Sequence, residues 1–346
     1  MKKTALYHQH EALQGKIVEF AGYLLPVNYP AGIIAEHNWV RQEVGMFDVS
    51  HMGEISVKGQ RARAFLDWAL TNNIAGLKPG KIRYTVMCYE NGSCVDDLLV
   101  YCISEEEYLL VVNAANQDKD FQHLKALADD VEVVDVSAQY SQIAVQGPKS
   151  KEVLQTLFNL PEKFFSFVYD QNLLISQSGY TGELGYEIYG SHDAIVALWG
   201  NLITKGVKPC GLGCRDTLRF EAGLPLYGHE ISDSICPNEA GLDFALKFDK
   251  EFIGKQAMLQ LKEKRQLIGL RLLERGIARQ GCAVYCGDLP VGVVTSGTMS
   301  PTLGVAIASA LVKAEFAENP EFVIDIRGNN VKAEKTALPY YERENK

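Results

Sequence analysis

The sequence predicts an α+β protein closed by a small all-β domain, and three observations carry that reading. Between Gly53 and Val136 the apolar pattern gives strand, helix, hairpin, strand, helix and strand in that order. A second block mixing strands and helices runs from Ser141 to Gly223, and from Leu267 onward only short strands and turns remain.

The first strand is Glu54 to Lys58, and helical spacing follows from Gln60 to Leu70. Arg83 to Tyr89 and Val95 to Cys102 are apolar runs joined by Glu90-Asn91-Gly92-Ser93, whose turn chemistry predicts a hairpin. Tyr108 to Asn113 reads as a strand, Asn116 to Ala128 as a helix and Val131 to Val136 as a strand. That order is close to a split βαβ arrangement and unlike a doubly wound sheet. In the second block, strands are expected near Ser141 to Val145, Asn172 to Ser176 and Tyr186 to Tyr189. Helices are expected from Lys149 to Phe158 and from Asp193 to Thr204, with Pro148 at the first turn of the former, where its missing N–H is harmless. Gly211 to Gly223 reads as a glycine-opened helix whose spacing puts Arg215 and Arg219 on one face. Ile268 to Leu272, Cys282 to Tyr285, Val291 to Thr295 and Phe322 to Ile326 predict a closing β-barrel or sandwich.

At 346 residues, 47% of them apolar, the chain is long enough for two or three well-packed domains. Its net charge of −9 and the lack of any basic run argue against general nucleic-acid binding. No apolar stretch approaches a membrane span and the N-terminus lacks a signal-peptide core, so a bacterial-type cytoplasm, or an equivalent compartment, is expected. The eight cysteines are scattered, which fits reduced thiols. Cys210/Cys214 and Cys282/Cys286 are spaced C-x3-C rather than as the tighter knuckles of structural zinc, and no metal is expected.

Asp96 and Asp97 lie in the strand just past the hairpin turn. Alternation puts Asp97 with Leu99 and Tyr101, and Asp96 with Leu98 and Val100, so the two are not a pair sharing one proton. Either one of them faces a ligand, or both are solvated acids near a turn. Four further segments combine glycine with polar or aromatic residues: Gly45 to Gly53, Ser178 to Glu187, the helix at Arg215, and Thr295 to Gly304. None is a P-loop, a dinucleotide fingerprint or a G-x-S-x-G elbow. His51 follows Asp48 and Ser50, but neighbours in sequence do not face one another, and it reads as a structural or hydrogen-bonding histidine rather than a triad member. Glu187 lies in an otherwise apolar strand. Buried, it can accept two hydrogen bonds from a heterocycle edge such as that of a pterin or guanine; at a strand edge it is merely wet. Arg215 can clamp an anionic carboxylate or pair with Asp216 or Glu221.

In this order the segments resemble the glycine cleavage system T protein family, the tetrahydrofolate-dependent aminomethyltransferases. The resemblance runs end to end. It is carried by GMFDVSHMGE from Gly45, VDDLLVY, VVNAAN from Val111, AVQGP from Ala144, GYTGELGYE from Gly179, GLGCRDTLRFEAGLPLYGHE from Gly211 and SGTMSPTLGVAIA from Ser296. It implies a three-domain cloverleaf around a central folate cavity, with antiparallel, ferredoxin-like αβ domains and a jelly-roll-like C-terminal β-barrel. The division it implies is 1–265 for two interleaved αβ subdomains and 266–346 for the barrel. By motif, Asp97 is the catalytic aspartate, Glu187 and Arg215 contact folate, and a C-terminal tyrosine, Tyr341 or the adjacent Tyr340, joins them. Tyr84, Tyr101 and Tyr180 are further expected to line the cavity, where aromatic faces stack on the ligand's rings.

The same resemblance implies the lipoylated H protein as partner and tetrahydrofolate as co-substrate, with no metal and no flavin. Ser178, where many relatives carry threonine, and Cys94 and Cys214, at positions often apolar or small, depart from the family pattern without touching the expected chemistry. Two rivals share the fold. A folate domain of a demethylating oxidase would bring a flavin domain, for which the chain has neither fingerprint nor spare length. A non-catalytic folate-binding factor of iron–sulfur maturation would bring a Lys-Gly-Cys-Tyr type motif, which is missing.

Overall fold

The computed structural model describes residues 1–261 and 264–343, and the chain forms two compact units. The first comprises Met1–Thr85 and Asp97–Leu218; the second comprises Val86–Asp96 and the chain from Arg219 onward. Among the described residues no helix is long and apolar enough to cross a membrane.

Two large sheets and a small one, of Lys2–Lys3, Tyr23–Pro26 and Ile17–Phe20, build the first unit. In the five-stranded sheet the order is Ile82–Cys88, Cys94–Cys102, Glu107–Val112, Gly53–Lys58 and Glu132–Asp135. The earliest strand thus lies between the last two, antiparallel to both, as the split arrangement requires. In the six-stranded sheet the order is Phe167–Asp170, Leu173–Ser176, Gly185–Gly190, Ser141–Gln146, Gly45–Asp48 and Lys208–Pro209. One face of this second sheet presents Ile143, Val145, Tyr186 and Ile188 to Ile195, Leu198, Trp199 and Leu202 of the helix His192–Thr204. Its other face meets the five-stranded sheet, where Leu174 and Tyr189 pack with Tyr101, Leu109 and Val111. Gly185–Gly190 is therefore covered on both sides, and all six of its residues are buried.

In the second unit six antiparallel strands close a barrel in the order Arg265–Leu272, Ala306–Lys313, Leu289–Met299, Ala283–Cys286, Glu321–Ile326 and Asn329–Thr336. Closure removes exposed sheet edges, and the alternating inward residues Leu270, Val294, Ala308 and Ile324 fill the interior. Two of these strands, Ala306–Lys313 and Asn329–Thr336, were not expected from sequence: the first is nearly all small and apolar, the second nearly all polar, so neither alternates cleanly.

Gly45–Asp48, the first part of the candidate segment Gly45 to Gly53, is a fully buried strand. The helix expected over Lys149 to Phe158 spans only Ser150–Leu154, capped by Lys149, and isolated turns carry the chain on to Phe158. Pro148 accordingly precedes the cap rather than standing in the first turn. All eight cysteines are free thiols, and among the described residues no group of His, Cys, Asp or Glu is arranged to hold a metal.

Candidate functional site

Asp97 stands on Cys94–Cys102, facing the same way as Leu99 and Tyr101. Asp96, its neighbour, is fully buried, whereas Asp97 is half-buried, so the reading of two solvated acids fails. The Tyr84 hydroxyl on the paired strand donates to Asp97 Oδ2 at 3.0 Å. Asn113, just past Glu107–Val112, donates from Nδ2 to Asp97 Oδ1 at 2.8 Å and to the Asp97 carbonyl at 3.2 Å. Two neutral donors thus fix the plane of the carboxylate. Sequence reasoning missed Asn113 as a site residue, although it opens the Asn-Ala-Ala-Asn part of a motif already singled out.

Four residues along the strand from Asp97, roughly 13 Å at the rise of an extended chain, stands Tyr101. It is fully buried, and its hydroxyl lies 2.8 Å from that of Tyr189 and 3.2 Å from Ser176 Oγ. Ser176 is registered against Glu187 on the neighbouring strand, so both side chains leave the same face of the six-stranded sheet. Ser178 Oγ, 2.7 Å from Ser176 Oγ, donates to Glu187 Oε2 at 2.6 Å. Glu187 is 7% exposed on its central strand, which removes the wet strand-edge reading. Burial raises its carboxyl pKa above the ordinary value, while the Ser178 hydrogen bond and the Arg215 charge work the other way.

Arg215 stands in the first turn of the helix Leu212–Glu221, and its guanidinium lies over the Tyr180 ring, 4.6 Å from the centroid. It forms no ion pair with Asp216 or Glu221. Its Nη1 is buried and has no hydrogen-bond partner among the described residues, leaving a donor for a ligand. His51 is buried too, edge-on to Phe20 and Tyr23, with Nδ1 unpartnered. Burial and the Arg215 charge lower its pKa to about 4, against the pull of Asp48, so it is neutral at neutral pH. The hydrogen-bonding histidine of this neighbourhood is His10, whose Nε2 meets Asp48 Oδ2 at 2.9 Å, beside Thr4 at 2.6 Å.

The loop bearing Ser178 and Tyr180 is shaped by Gln146, which donates to the Ser178 carbonyl at 3.1 Å and accepts from Thr181 at 2.9 Å. A Cβ on Gly179 or Gly185 would sit 1.9 or 2.3 Å from Gln146 atoms, which is why those two positions are glycine. Arg41 ties the same loop to the Arg215 helix. It donates to the Thr181 carbonyl at 2.7 Å, to Glu183 at 3.0 Å and to the Leu218 carbonyl at 3.4 Å.

Tyr341 belongs to the second unit, half-buried, with its backbone N–H on the Glu221 carbonyl at 2.8 Å. The adjacent Tyr340 has its hydroxyl committed to the barrel, donating to the Ala308 carbonyl at 2.7 Å beside Ser309 at 3.1 Å. The segment Thr295 to Gly304 is likewise structural: Thr295 donates to Glu230, Ser296 accepts from Arg219, and Ser300 and Thr302 donate to Glu221.

Residues 6–250 match the family model described as the GCVT N-terminal domain, and residues 265–342 match the glycine cleavage T-protein C-terminal barrel domain. An aminomethyltransferase of Alkaliphilus oremlandii is 48% identical over 365 aligned positions, covering 100% of this chain and 99% of that protein. One from a Geobacillus species is 47% identical with 99% of both chains covered. The crystal structure of glycine cleavage system aminomethyltransferase T from Bartonella henselae superimposes with a TM-score of 0.94 at 33% identity, covering 99% of this chain and 98% of that one.

Proposed function

The chain belongs to the glycine cleavage T-protein family and is an aminomethyltransferase, and from that premise we propose the reaction its site carries out. An aminomethyl group held as a thio-aminal on the dihydrolipoyl arm of H protein passes its one-carbon unit to tetrahydrofolate. The products are 5,10-methylenetetrahydrofolate, ammonia and the dihydrolipoyl arm. The chain works in the cytoplasm, with its folate-binding region over 1–265 and its barrel over 266–346.

The observation that carries this reading is the half-buried Asp97 carboxylate, fixed through both oxygens by Tyr84 and Asn113. Loss of ammonia from the thio-aminal builds positive, thionium-like charge on the one-carbon centre, and a fixed carboxylate stabilises it without having to reorganise. The folate nitrogen that attacks must shed a proton, and Asp97 orients and polarises that amine. Glu187 offers an acceptor edge to the N–H groups of the pterin, Arg215 offers its unpartnered Nη1 to an anionic or carbonyl oxygen, and the rings of Tyr84 and Tyr180 stack on or flank the ligand. Tyr101 contributes from the core, through its hydroxyl.

The test is a single-turnover assay with aminomethyl-loaded, lipoylated H protein. Ammonia release that requires tetrahydrofolate and yields the methylene derivative is the expected result. Failure to bind reduced folate, or ammonia release at the same rate without it, would overturn the assignment.

A further inference from the structure

The hydroxyls between Tyr189 and Glu187 have a forced direction. Each has one proton to give. When Glu187 is ionised, Ser178 spends its proton on Oε2 at 2.6 Å. Ser176 and Ser178 stand 2.7 Å apart, too close for a contact without a proton between them, so Ser176 is the donor there. Its proton being spent, its 3.2 Å approach to the Glu187 carbonyl is secondary. Tyr101 then donates to Ser176 at 3.2 Å, and Tyr189 donates to Tyr101 at 2.8 Å. The file runs one way, from the core to the carboxylate. The other oxygen, Glu187 Oε1, takes no hydrogen bond from the described residues.

We propose that Ser178, backed by Ser176, Tyr101 and Tyr189, is a positioning residue that holds Glu187 as an ionised acceptor with Oε1 turned to the ligand. This rests on the reading of Glu187 as a folate contact. A neutral carboxyl either presents a proton at Oε1 to a heterocycle edge that itself donates or, protonated on Oε2, leaves Oε1 a weaker, uncharged acceptor, so ligand affinity falls as Glu187 takes up a proton. The groups facing Glu187 from the surrounding elements are Arg215 on its helix, Tyr101 on the opposing sheet and Tyr189 two residues along its own strand. Only Arg215 among these is a cation, and it acts on Glu187 through space rather than by a hydrogen bond. Ser178 is the one direct donor among the described residues, consistent with its lowering of the Glu187 pKa against burial.

The experiment compares wild type, Ser178→Ala, Ser178→Thr and Tyr101→Phe in the full chain. Tetrahydrofolate affinity and the folate KM and kcat of transfer are measured from pH 5.5 to 8.5 and taken as ratios to wild type, which cancels the ligand's own titration. Ser178→Ala is expected to weaken affinity about tenfold at neutral pH, the loss of one charge-assisted hydrogen bond. The loss should grow as pH falls and shrink as it rises, with KM affected more than kcat. Ser178→Thr, which keeps the hydroxyl, should restore most of the affinity, and Tyr101→Phe should give a weaker form of the same pH-dependent loss. A loss that is uniform across pH, or that Ser178→Thr does not relieve while the protein remains folded, overturns the proposal. A parallel titration of the Glu187 carboxyl by carbon-13 NMR, assigned with Glu187→Gln, needs no ligand. There Ser178→Ala must raise the midpoint, and an unmoved midpoint overturns the relay even if folate binds. If wild type binds no folate, the functional reading falls while this titration still decides the relay.

Discussion

Asp97 is half-buried and held by two side chains that touch it directly, whereas Glu187 is 7% exposed on a central strand and is held through a file of hydroxyls that begins in the core. The difference follows from where each strand lies. Cys94–Cys102 brings Asp97 where solvent still reaches it, so two neutral donors suffice to orient an ion that water helps to stabilise. Gly185–Gly190 is covered on both faces, and an ion there needs donors supplied by the fold itself. The Asp97 end is therefore built for reactivity at a fixed geometry, and the Glu187 end for recognition at a fixed protonation state.

Removing the charge at each aspartate separates these roles most sharply. Asp97→Asn keeps the volume and the Tyr84 contact but loses the charge that answers the developing cation. Turnover is expected to fall about a thousandfold, with the circular dichroism spectrum and melting temperature unchanged. Asp96→Asn alters a fully buried side chain on the opposite face, and its cost should appear in stability, about 1–3 kcal/mol by denaturant melts. Its kcat should stay within about threefold of wild type, since the side chain leaves the opposite face of the strand from Asp97. A loss of turnover in the Asp96 variant alone would reverse the assignment.

At the recognition end the corresponding break is Arg41→Met. Arg41 and Glu183 form a buried ion pair, their side chains 7% and 5% exposed, and the substitution strands Glu183 without its partner. A stability loss of about 3 kcal/mol is expected, together with weaker folate binding, because the loop bearing Ser178 and Tyr180 loses its tie to the Arg215 helix. The pair variant Arg41→Met with Glu183→Leu should regain most of the melting temperature but not the affinity. If it regains neither, the ion pair is not what fixes the loop.

These two ends were not equally legible in the sequence. Strand alternation alone separated Asp97 from Asp96, because a period of two leaves no freedom about which neighbours share a face. The same rule could place Glu187 in a strand but could not say whether that strand was central or at an edge, since burial on both sides depends on pairings with Leu173–Ser176 and Ser141–Gln146. Ser176 read only as the end of a strand and Ser178 as the start of a glycine-rich segment, and their alignment with Tyr101, 75 positions from Ser176, exists only once two sheets pack. Gly45–Asp48 escaped as a strand because a glycine and an aspartate bound it, both poor strand formers. The glycine is there because a Cβ would fall 2.7 Å from Cys210 and Val40 atoms, and the aspartate because Thr4 and His10 bind it.

The finest test of the comparison concerns Asn113, where a single neutral donor is removed from the directly held carboxylate. Asn113→Ala deletes the bond to Asp97 Oδ1 and the one to its carbonyl, while Tyr84 still holds Oδ2. The carboxylate stays charged but loses one of the donors that orient it, so the expected loss is about tenfold in kcat, close to the worth of one orienting hydrogen bond. Because nothing in this change reaches the Ser178 file, folate affinity and its pH dependence should match wild type. Single-turnover rates at saturating folate, measured beside equilibrium binding from pH 5.5 to 8.5, read the two effects apart. A variant that lost affinity as well as rate would mean that the two ends act as one unit, and the separation between a reacting carboxylate and a recognising one would have to be given up.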